Sequence, residues 1–414
     1  MGPAVKHKNP RGPVRLRLHS GLVPRTFEPL LLTGTYLVTS GDSSQTFSDP
    51  INLQNYQSPS LKYSVEGPAH SPLLLLPATH VFMSISRPLI LVIGCGSIGE
   101  RHVRTFLATG RVGIVGCDNR SSIRQQMSER YGVVMISDWS PALENPAIIG
   151  VVIATPAPSH VEIATRCLES GRHVLIEKPL SLNLTGLDAL LAARDRSGRF
   201  AGVAYVLHFV PALQAARQFI HAGSFGPVRH VAVNTGQHFP LFRPAYREIY
   251  YRDRDQGGGA IQDALTHVAN AVEWIVGPTT RVFCDADHQV LEGVTVEDTV
   301  NATARNGDVL VSYALTQFQA VNETRIDFHA ETGSVRVEMN AQRWGLLARG
   351  ETEWKWHAAP ISDRDQIYTD QAQAFLDGTE EKANLLCTLT EGVQTLRFNL
   401  AAFKSWRENK PIIP

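Results

Sequence analysis

The chain has 414 residues, enough for two domains of ordinary size, and 43% of them are apolar, a normal share for a globular protein. Acidic and basic residues balance at 39 each, and no apolar run approaches the ~20 residues of a membrane-spanning helix, so neither nucleic acid nor a membrane is an expected partner. The five scattered cysteines contain no C-x-x-C pair, which argues against disulfides and structural zinc and favours a reducing compartment, the cytoplasm.

The first 82 residues differ from the rest of the chain. Ten of the 24 prolines lie there, and stretches such as Ser40–Asp49 are rich in Ser and Thr and show no amphipathic period. Such segments cannot bury enough apolar surface to offset the entropy that is lost on ordering. We therefore expect residues 1–82 to be a disordered or non-core extension, with Met83, directly before the first strand, as the natural start of translation.

A short apolar run followed by glycines opens the next part of the chain. Leu89–Ile93 is continuously apolar, as in a strand buried on both faces of a parallel sheet. A G-x-G-x-x-G turn follows, and a helix is predicted over Glu100–Leu107. In this context the glycines are the fingerprint of dinucleotide binding, because they let a pyrophosphate approach the backbone at the helix N-terminus. The predicted cofactor contacts in this turn are Gly94, Gly96, Ser97, Ile98 and Gly99.

An acidic residue ends the next predicted strand, Val112–Cys117. Asp118 lies about 20 residues beyond the glycines, where a carboxylate accepts hydrogen bonds from the adenosine ribose hydroxyls and repels a 2′-phosphate. This position favours NAD as the cofactor. Arg120 could pair with a 2′-phosphate instead, so NADP remains possible.

Strands and helices continue to alternate through Ile148–Ala154, His173–Ile176 and Ala201–Val206. Loops after successive parallel strands meet at the carboxyl edge of the sheet, where ligands bind in open α/β folds. We therefore expect one crevice to contain the residues that follow these strands. The candidates are Thr155, Pro156, His160, Glu177, Lys178 and Tyr205, and all but Tyr205 are predicted cofactor contacts.

The order of these motifs resembles the glucose–fructose oxidoreductase, inositol dehydrogenase and rhizopine-catabolism (Gfo/Idh/MocA) family. The matching segments are Gly94–His102, Ala154–Pro156 with His160, Glu177–Pro179 and, downstream, Gly257–His267. The resemblance runs from about Ser86 to the C-terminus. It implies an α/β protein with an N-terminal Rossmann domain, followed by an α+β domain with a large, mostly antiparallel open sheet, and it suits assembly into a homodimer or homotetramer.

Strand-like alternation in the second half agrees with that architecture. A βαβ half followed by consecutive strands is typical of a Rossmann domain joined to an α+β domain. We place the dinucleotide-binding domain at residues 83–206 and the substrate and oligomerisation domain at residues 207–414. The predicted strands are Val228–Asn234, Val282–Asp287, Thr299–Ala304, Leu310–Ala314, Thr324–Phe328 and Val335–Met339.

Hydride transfer between an alcohol and nicotinamide needs a base for the hydroxyl proton and a cation for the developing alkoxide. Asp263 and His267 are four residues apart and would share one face of a helix. The resemblance implies that His267 is the acid/base, that Asp263 binds substrate hydroxyls or orients the site, and that Lys178 contacts the cofactor and the reacting hydroxyl. For His160 and His102, structural roles are favoured.

Aromatic and basic residues cluster just ahead of the second glycine run, at Tyr246, Arg247, Tyr250 and Arg252. Rings and guanidinium groups suit a polyhydroxylated or carboxylated substrate, although a loop or subunit contact uses the same residue types. The predicted substrate contacts are Tyr205, Tyr246, Arg247, Asp263 and His267. Many family members carry Arg-Phe where this chain has His208-Phe209, so the substrate of a particular relative does not transfer directly.

The motifs together predict an NAD(P)-dependent oxidoreductase that acts on a secondary alcohol or ketone of a sugar, sugar acid or cyclitol. No metal site is predicted. Two alternatives stay open, an NAD-dependent glycosidase on the same scaffold and a non-catalytic dinucleotide-binding regulator. The joint presence of Lys178, Asp263 and His267 argues against the regulator, whereas the glycosidase could share all three.

Overall fold

The computed structural model describes residues 87–361, 363–382 and 385–414, together with the backbone of two strands nearer the N-terminus, β1 (Thr35–Ser40) and β2 (Ser43–Ser48). These strands pair antiparallel, with Ser40 opposite Ser43. The expectations that residues 1–82 form a disordered or non-core extension and that translation starts at Met83 stay predictions, because they otherwise concern residues outside those described.

Six parallel strands build the first large sheet. Its spatial order is β5-β4-β3-β6-β7-β8, and every neighbouring pair is parallel. The order reverses between β3 and β6, which is the point where open α/β sheets bind ligands. The Rossmann prediction is thus confirmed. The strands are β3 (Leu89–Ile93), β4 (Gly113–Cys117), β5 (Val134–Ile136), β6 (Ile148–Ile153), β7 (His173–Ile176) and β8 (Ala201–Val203).

Helices connect these strands and bury them on both faces. The central strands β3, β6 and β7 are almost entirely buried, which explains their continuous apolar sequences. The connecting helices are α1 (Ser97–Ala108), α2 (Ser121–Tyr131), α3 (His160–Glu169) and α4 (Leu187–Ser197). None of the described helices is long and apolar enough to cross a membrane.

An eight-stranded sheet dominates the second half, in the order β10-β11-β12-β9-β13-β14-β15-β16. Only the β9–β12 pair is parallel, which confirms the mostly antiparallel sheet. Sequence reasoning missed β15 and β16 because neither alternates clearly, and all four residues of β16 are exposed at the sheet edge. The strands are β9 (Val228–Gly236), β10 (Arg281–Asp287), β11 (Thr299–Asn306), β12 (Val309–Thr316), β13 (Glu323–Ala330), β14 (Gly333–Glu338), β15 (Arg343–Ala348) and β16 (Lys355–Ala358).

The C-terminal segment returns to the first sheet. A two-residue strand, β17 (Cys387–Thr388), pairs antiparallel with β8. A domain division after residue 206 stays a prediction, but residues far beyond it complete the Rossmann sheet. The remaining helices are α5 (Pro211–His221), α6 (Phe239–Phe242), α7 (Thr266–Val276), α8 (Gln366–Thr379) and α9 (Leu389–Glu408), and a π-helical turn, Ile261–Leu265, leads directly into α7.

The glycines of the turn between β3 and α1 allow a test of how closely this turn is packed. A Cβ atom on Gly99 would stand 1.8 Å from the carbonyl oxygen of Gly94, whereas one on Gly96 would meet only the Arg120 side chain at 3.7 Å. We expect Gly99→Ala to lower the free energy of unfolding by about 1–3 kcal/mol, as overpacking does. Gly96→Ala is the matched control and should leave stability nearly unchanged. Urea denaturation of both variants without cofactor checks this, and equal stabilities would contradict it.

Candidate active site

A buried ion pair joins the two halves of the site. Lys178 follows β7, and its Nζ lies 3.0 Å from the backbone oxygen of Asp263 and 3.2 Å from its Oδ1. Asp263 stands in the π-helical turn, a local widening that often occurs at functional sites. The structure therefore brings together the strand-end lysine and the helix-borne aspartate, two residues that are 85 positions apart.

Asp263 is surrounded by donors from a segment that has little regular structure. Arg243 Nη1 donates to Oδ2 at 3.0 Å, and the Tyr250 hydroxyl donates to Oδ1 at 2.5 Å. The carboxylate is 1% exposed. Burial alone would raise the pKa of Asp263, but the charges of Lys178 and Arg243 and the Tyr250 hydrogen bond outweigh it and lower that pKa. Asp263 is therefore an anion whose oxygens are already engaged.

His267 lies one turn further along, in α7. Burial, reinforced by the positive charge of Lys178 and only partly opposed by Asp263, lowers the pKa of His267 well below its usual value. Its buried Nδ1 has no hydrogen-bond partner in the described part of the chain. The ring is thus neutral near pH 7, with one nitrogen lone pair available to accept a proton.

The Tyr205 ring packs against the His267 ring. The two rings meet edge to face at 6.0 Å, and the Tyr205 hydroxyl lies 2.8 Å from Thr266 Oγ1, which also accepts from Asn399 Nδ2 at 2.9 Å. Tyr205 is only 1% exposed. The structure therefore does not expose it as the expected substrate contact: its side chain turns into the core, where its hydroxyl contacts the first residue of α7.

Two histidines fix the loops that end β6 and β7. His102 Nε2 lies 2.7 Å from Glu177 Oε1, and the other Glu177 oxygen accepts the backbone N–H of Lys178 at 3.1 Å. The His160 ring lies between the carbonyl oxygens of Thr155, at 2.8 Å, and Pro179, at 3.0 Å. These contacts agree with the structural roles favoured for both histidines. They leave Glu177 directed at the protein, not at the crevice.

The Thr155 side chain and Pro156 lie in the turn that follows β6. The Thr155 hydroxyl is 2.8 Å from Ser159 Oγ, and the Ser159 backbone N–H donates to the Pro156 carbonyl oxygen at 3.1 Å. This turn directly neighbours the glycine turn, because a Cβ atom on Gly94 would lie 2.9 Å from the Thr155 nitrogen. Both turns therefore border the crevice at the carboxyl edge of the sheet.

The glycine turn and the end of β4 have the features that a dinucleotide requires. The first turn of α1 begins at Ser97 and Ile98, directly after Gly96, whose missing side chain leaves open space beside the helix N-terminus. Asp118 accepts the backbone N–H of Cys95 at 3.0 Å. Arg120 donates to Asp118 through Nε at 3.0 Å and Nη2 at 3.1 Å. These residues fit a dinucleotide, with Asp118 and Arg120 together at the expected ribose position.

Two of the predicted substrate contacts lie elsewhere. Tyr246 is 1% exposed, and its hydroxyl donates to the Glu292 backbone oxygen at 2.8 Å. Arg247 donates to the same oxygen at 2.8 Å and lies over the Tyr246 ring. Both side chains therefore contact the loop around Glu292 and do not hydrogen-bond to Asp263. Their neighbours Arg243 and Tyr250 do, and the sequence signalled only Tyr250, as a member of the aromatic cluster.

A metal has no obvious place among the described residues, where no group of three or more His, Cys, Asp or Glu side chains is arranged to hold one.

Two protein-family matches together cover both parts of the chain that contribute to the site. Residues 89–205 match the family described as "Oxidoreductase family, NAD-binding Rossmann fold". Residues 213–336 match the GFO/IDH/MocA C-terminal domain. The first match contains the glycine turn and Lys178, and the second contains Asp263 and His267.

Three curated relatives are 25–28% identical to this chain over the matched residues. The 1-carboxy-3-chloro-3,4-dihydroxycyclohexa-1,5-diene dehydrogenase of Comamonas testosteroni is 28% identical over 44% of this chain and 45% of its own length. The inositol 2-dehydrogenase of Ralstonia nicotianae is 25% identical over 45% of this chain and 53% of its own. This chain therefore spans about half the length of both. The levoglucosan dehydrogenase of Pseudarthrobacter phenanthrenivorans is 26% identical over 69% of this chain and 81% of its own.

Solved structures share the fold over about four fifths of this chain. A levoglucosan dehydrogenase in complex with NADH and levoglucosan superposes with a TM-score of 0.71 at 19% identity, over 79% of this chain and 99% of that one. An oxidoreductase domain protein from Kribbella flavida gives a TM-score of 0.72 at 23% identity, over 80% and 100%. With both halves matched to its domain families, the chain belongs to the Gfo/Idh/MocA family of oxidoreductases.

Proposed function

We propose that this protein is an NAD(P)-dependent oxidoreductase that converts a secondary alcohol and its ketone in a sugar-like substrate. The observation that carries the proposal is that a neutral, partly buried His267 lies near the charge of Lys178, which Asp263 holds in place. An enzyme that oxidises an alcohol needs this combination of a proton acceptor and a fixed cation. A regulator that only binds a dinucleotide has no use for it.

Each residue of the site would have a separate role in the reaction. His267 would accept the substrate hydroxyl proton at a ring nitrogen, while an N–H of Lys178 would stabilise the alkoxide oxygen. Asp263 keeps Lys178 directed into the crevice through its two contacts at 3.0 and 3.2 Å. Tyr205 and Thr266 limit the movement of the imidazole. A bound nicotinamide supplies the chemistry of hydride acceptance or donation.

A substrate with several hydroxyl groups is supported by the names of relatives. These include an inositol dehydrogenase, a levoglucosan dehydrogenase and a dehydrogenase of a carboxylated cyclic diol. A cofactor-coupled screen of sugars, inositols and sugar acids, followed at 340 nm, tests the proposal. Release of an aglycone without net cofactor reduction would favour a glycosidase instead.

We also propose a homodimer or homotetramer in the cytoplasm. Among the described residues, the large sheet buries one face against helices, while residues on its other face are partly or fully exposed, with Leu310 46% exposed and His230 stacked on His329 at 5.6 Å. All five cysteines are free and buried, which supports a reducing compartment. Analytical ultracentrifugation should give a mass at least twice that of the chain, and Leu310→Glu on the open face should lower it. A monomer at micromolar concentration would rule out this assembly.

For cofactor choice, we expect NAD(H) to bind more tightly than NADP(H). Asp118 is 5% exposed, and its charge is partly neutralised by the Arg120 guanidinium. Arg120→Ala should widen the preference for NADH, because the carboxylate then repels a 2′-phosphate without compensation. Asp118→Asn should narrow or invert the preference, because Arg120 becomes free to pair with that phosphate. A hydrogen bond to a charged group changes affinity by about tenfold to a hundredfold.

Isothermal titration of NADH and NADPH on the wild type and these two variants measures the preference. Arg130→Ala is the control, because Arg130 pairs with Glu100 on the surface of the same domain. Tighter binding of NADPH by the wild type would contradict the assignment.

Catalysis gives the most direct test. His267→Ala removes the proton acceptor and Lys178→Ala the cation, so kcat should fall by about 10²–10⁴-fold in either variant. Asp263→Asn should reduce kcat less and raise KM, because a proton acceptor remains while Lys178 loses its charged partner and keeps only the contact with the backbone oxygen. Lys404→Ala, which removes an exposed lysine of α9, is the control. Steady-state kinetics with parallel cofactor titration separates chemistry from binding, and wild-type rates for both His267→Ala and Lys178→Ala would refute the site.

A further inference from the structure

The carboxylates at the site have few acceptor positions left for a substrate. A neutral polyol presents hydroxyl groups, each of which has an O–H that needs an acceptor such as a carboxylate oxygen, besides its own acceptor lone pairs. Here Asp263 already accepts from Lys178, Arg243 and Tyr250, and it is almost completely buried. Glu177 is 5% exposed and accepts from His102 and from the Lys178 backbone.

Donors, in contrast, remain available. An ammonium group has three N–H donors, and Lys178 spends two of them on Asp263. Arg243 spends one of its five N–H groups on Asp263 Oδ2, and its side chain is 39% exposed, against 12% for Lys178. The hydrogen-bonding character of the site therefore matches an acceptor-rich ligand.

Arg243 is held in a defined position. Its guanidinium lies 5.2 Å from the centre of the Phe239 ring, and Asp263 fixes its other side. The Asp263 carboxylate also raises the pKa of Arg243, so the guanidinium stays charged. A planar, oriented guanidinium with unused N–H groups can bind a carboxylate through two parallel hydrogen bonds.

We infer that the substrate carries a carboxylate beside the reacting hydroxyl, and that Arg243 binds this carboxylate and selects for it. The inference rests on the proposed function and narrows its substrate to sugar acids and related hydroxy acids. Arg243 then has two tasks, since one edge of its guanidinium holds Asp263 and the other faces the ligand. The Tyr250 hydroxyl donates to the same Asp263 carboxylate.

Matched pairs of compounds test this, each consisting of a neutral sugar and the acid that differs from it by one carboxylate. Suitable pairs are glucitol with gluconate and galactitol with galactonate, because each acid has a hydroxyl on the carbon next to its carboxylate. We expect kcat/KM for the acid to exceed that for the neutral partner by at least tenfold in the wild type. Arg243→Gln should raise KM for acids about tenfold to a hundredfold, with a much smaller rise for neutral compounds. Arg243→Lys should restore part of the preference, because a charge without the planar fork remains.

Two controls separate this inference from the proposed function. Arg281→Gln removes an exposed arginine of β10 and should leave the preference unchanged. Isothermal titration of each pair into the NAD-loaded protein measures binding independently of turnover. If no compound reduces NAD, the oxidoreductase proposal fails, and the titration still decides whether Arg243 binds a carboxylate. Tighter binding of the neutral member of each pair, no binding of any acid, or an equal loss for acids and neutral sugars in Arg243→Gln would overturn the inference.

Discussion

A carboxylate that is almost completely buried must be surrounded by donors, because an uncompensated buried charge costs several kcal/mol. Asp263 is such a group, and its donors come from separate parts of the chain. Lys178 stands at the end of a strand in the first sheet, while Arg243 and Tyr250 belong to the irregular segment that follows β9. The compensation of this one anion therefore determines where three segments meet. The geometry of the crevice depends on that meeting point.

The same charges lower the pKa of His267 as well, in addition to the larger effect of burial. Lys178 and Arg243 stabilise the anionic form of Asp263, and both also disfavour the protonated form of the nearby imidazole. One arrangement thus yields an ionised acid and a neutral base, four residues apart on the same face. The cations, together with burial as the larger cause, therefore favour the neutral form of the His267 ring.

The sequence was informative where a function needs a fixed local pattern. Continuous apolar runs located β3, β6 and β7 within one residue. The motifs identified Lys178 and Asp263, which form an ion pair, and His267, one turn beyond Asp263. Long-range contacts were harder to predict from the sequence. Tyr205 was placed correctly at a strand end, but its side chain turns inward to Thr266, a direction that no local pattern encodes.

The irregular segment shows the same limit more strongly. Residues 239–256 fold into short helical turns whose side chains alternate in destination without a period. Tyr246 and Arg247 turn to Glu292, whereas Arg243 and Tyr250 turn to Asp263. A helix or strand period relates neighbours in a regular element, but here tertiary contacts choose each direction. The composition therefore predicted that this segment contributes to the site, but only the structure identifies Arg243 and Tyr250 as the residues that contact Asp263.

This arrangement links substrate choice to catalysis. In many α/β proteins, loops can vary while strand-end residues keep their chemistry, because the two sets make few mutual contacts. Here the exposed Arg243 is also a partner of Asp263, and Asp263 is the partner of Lys178. A change at residue 243 that alters ligand recognition also removes compensation from the buried carboxylate. A relative with another residue there must supply Asp263 with a different donor, or else accept a higher pKa for that carboxylate and a less firmly held lysine.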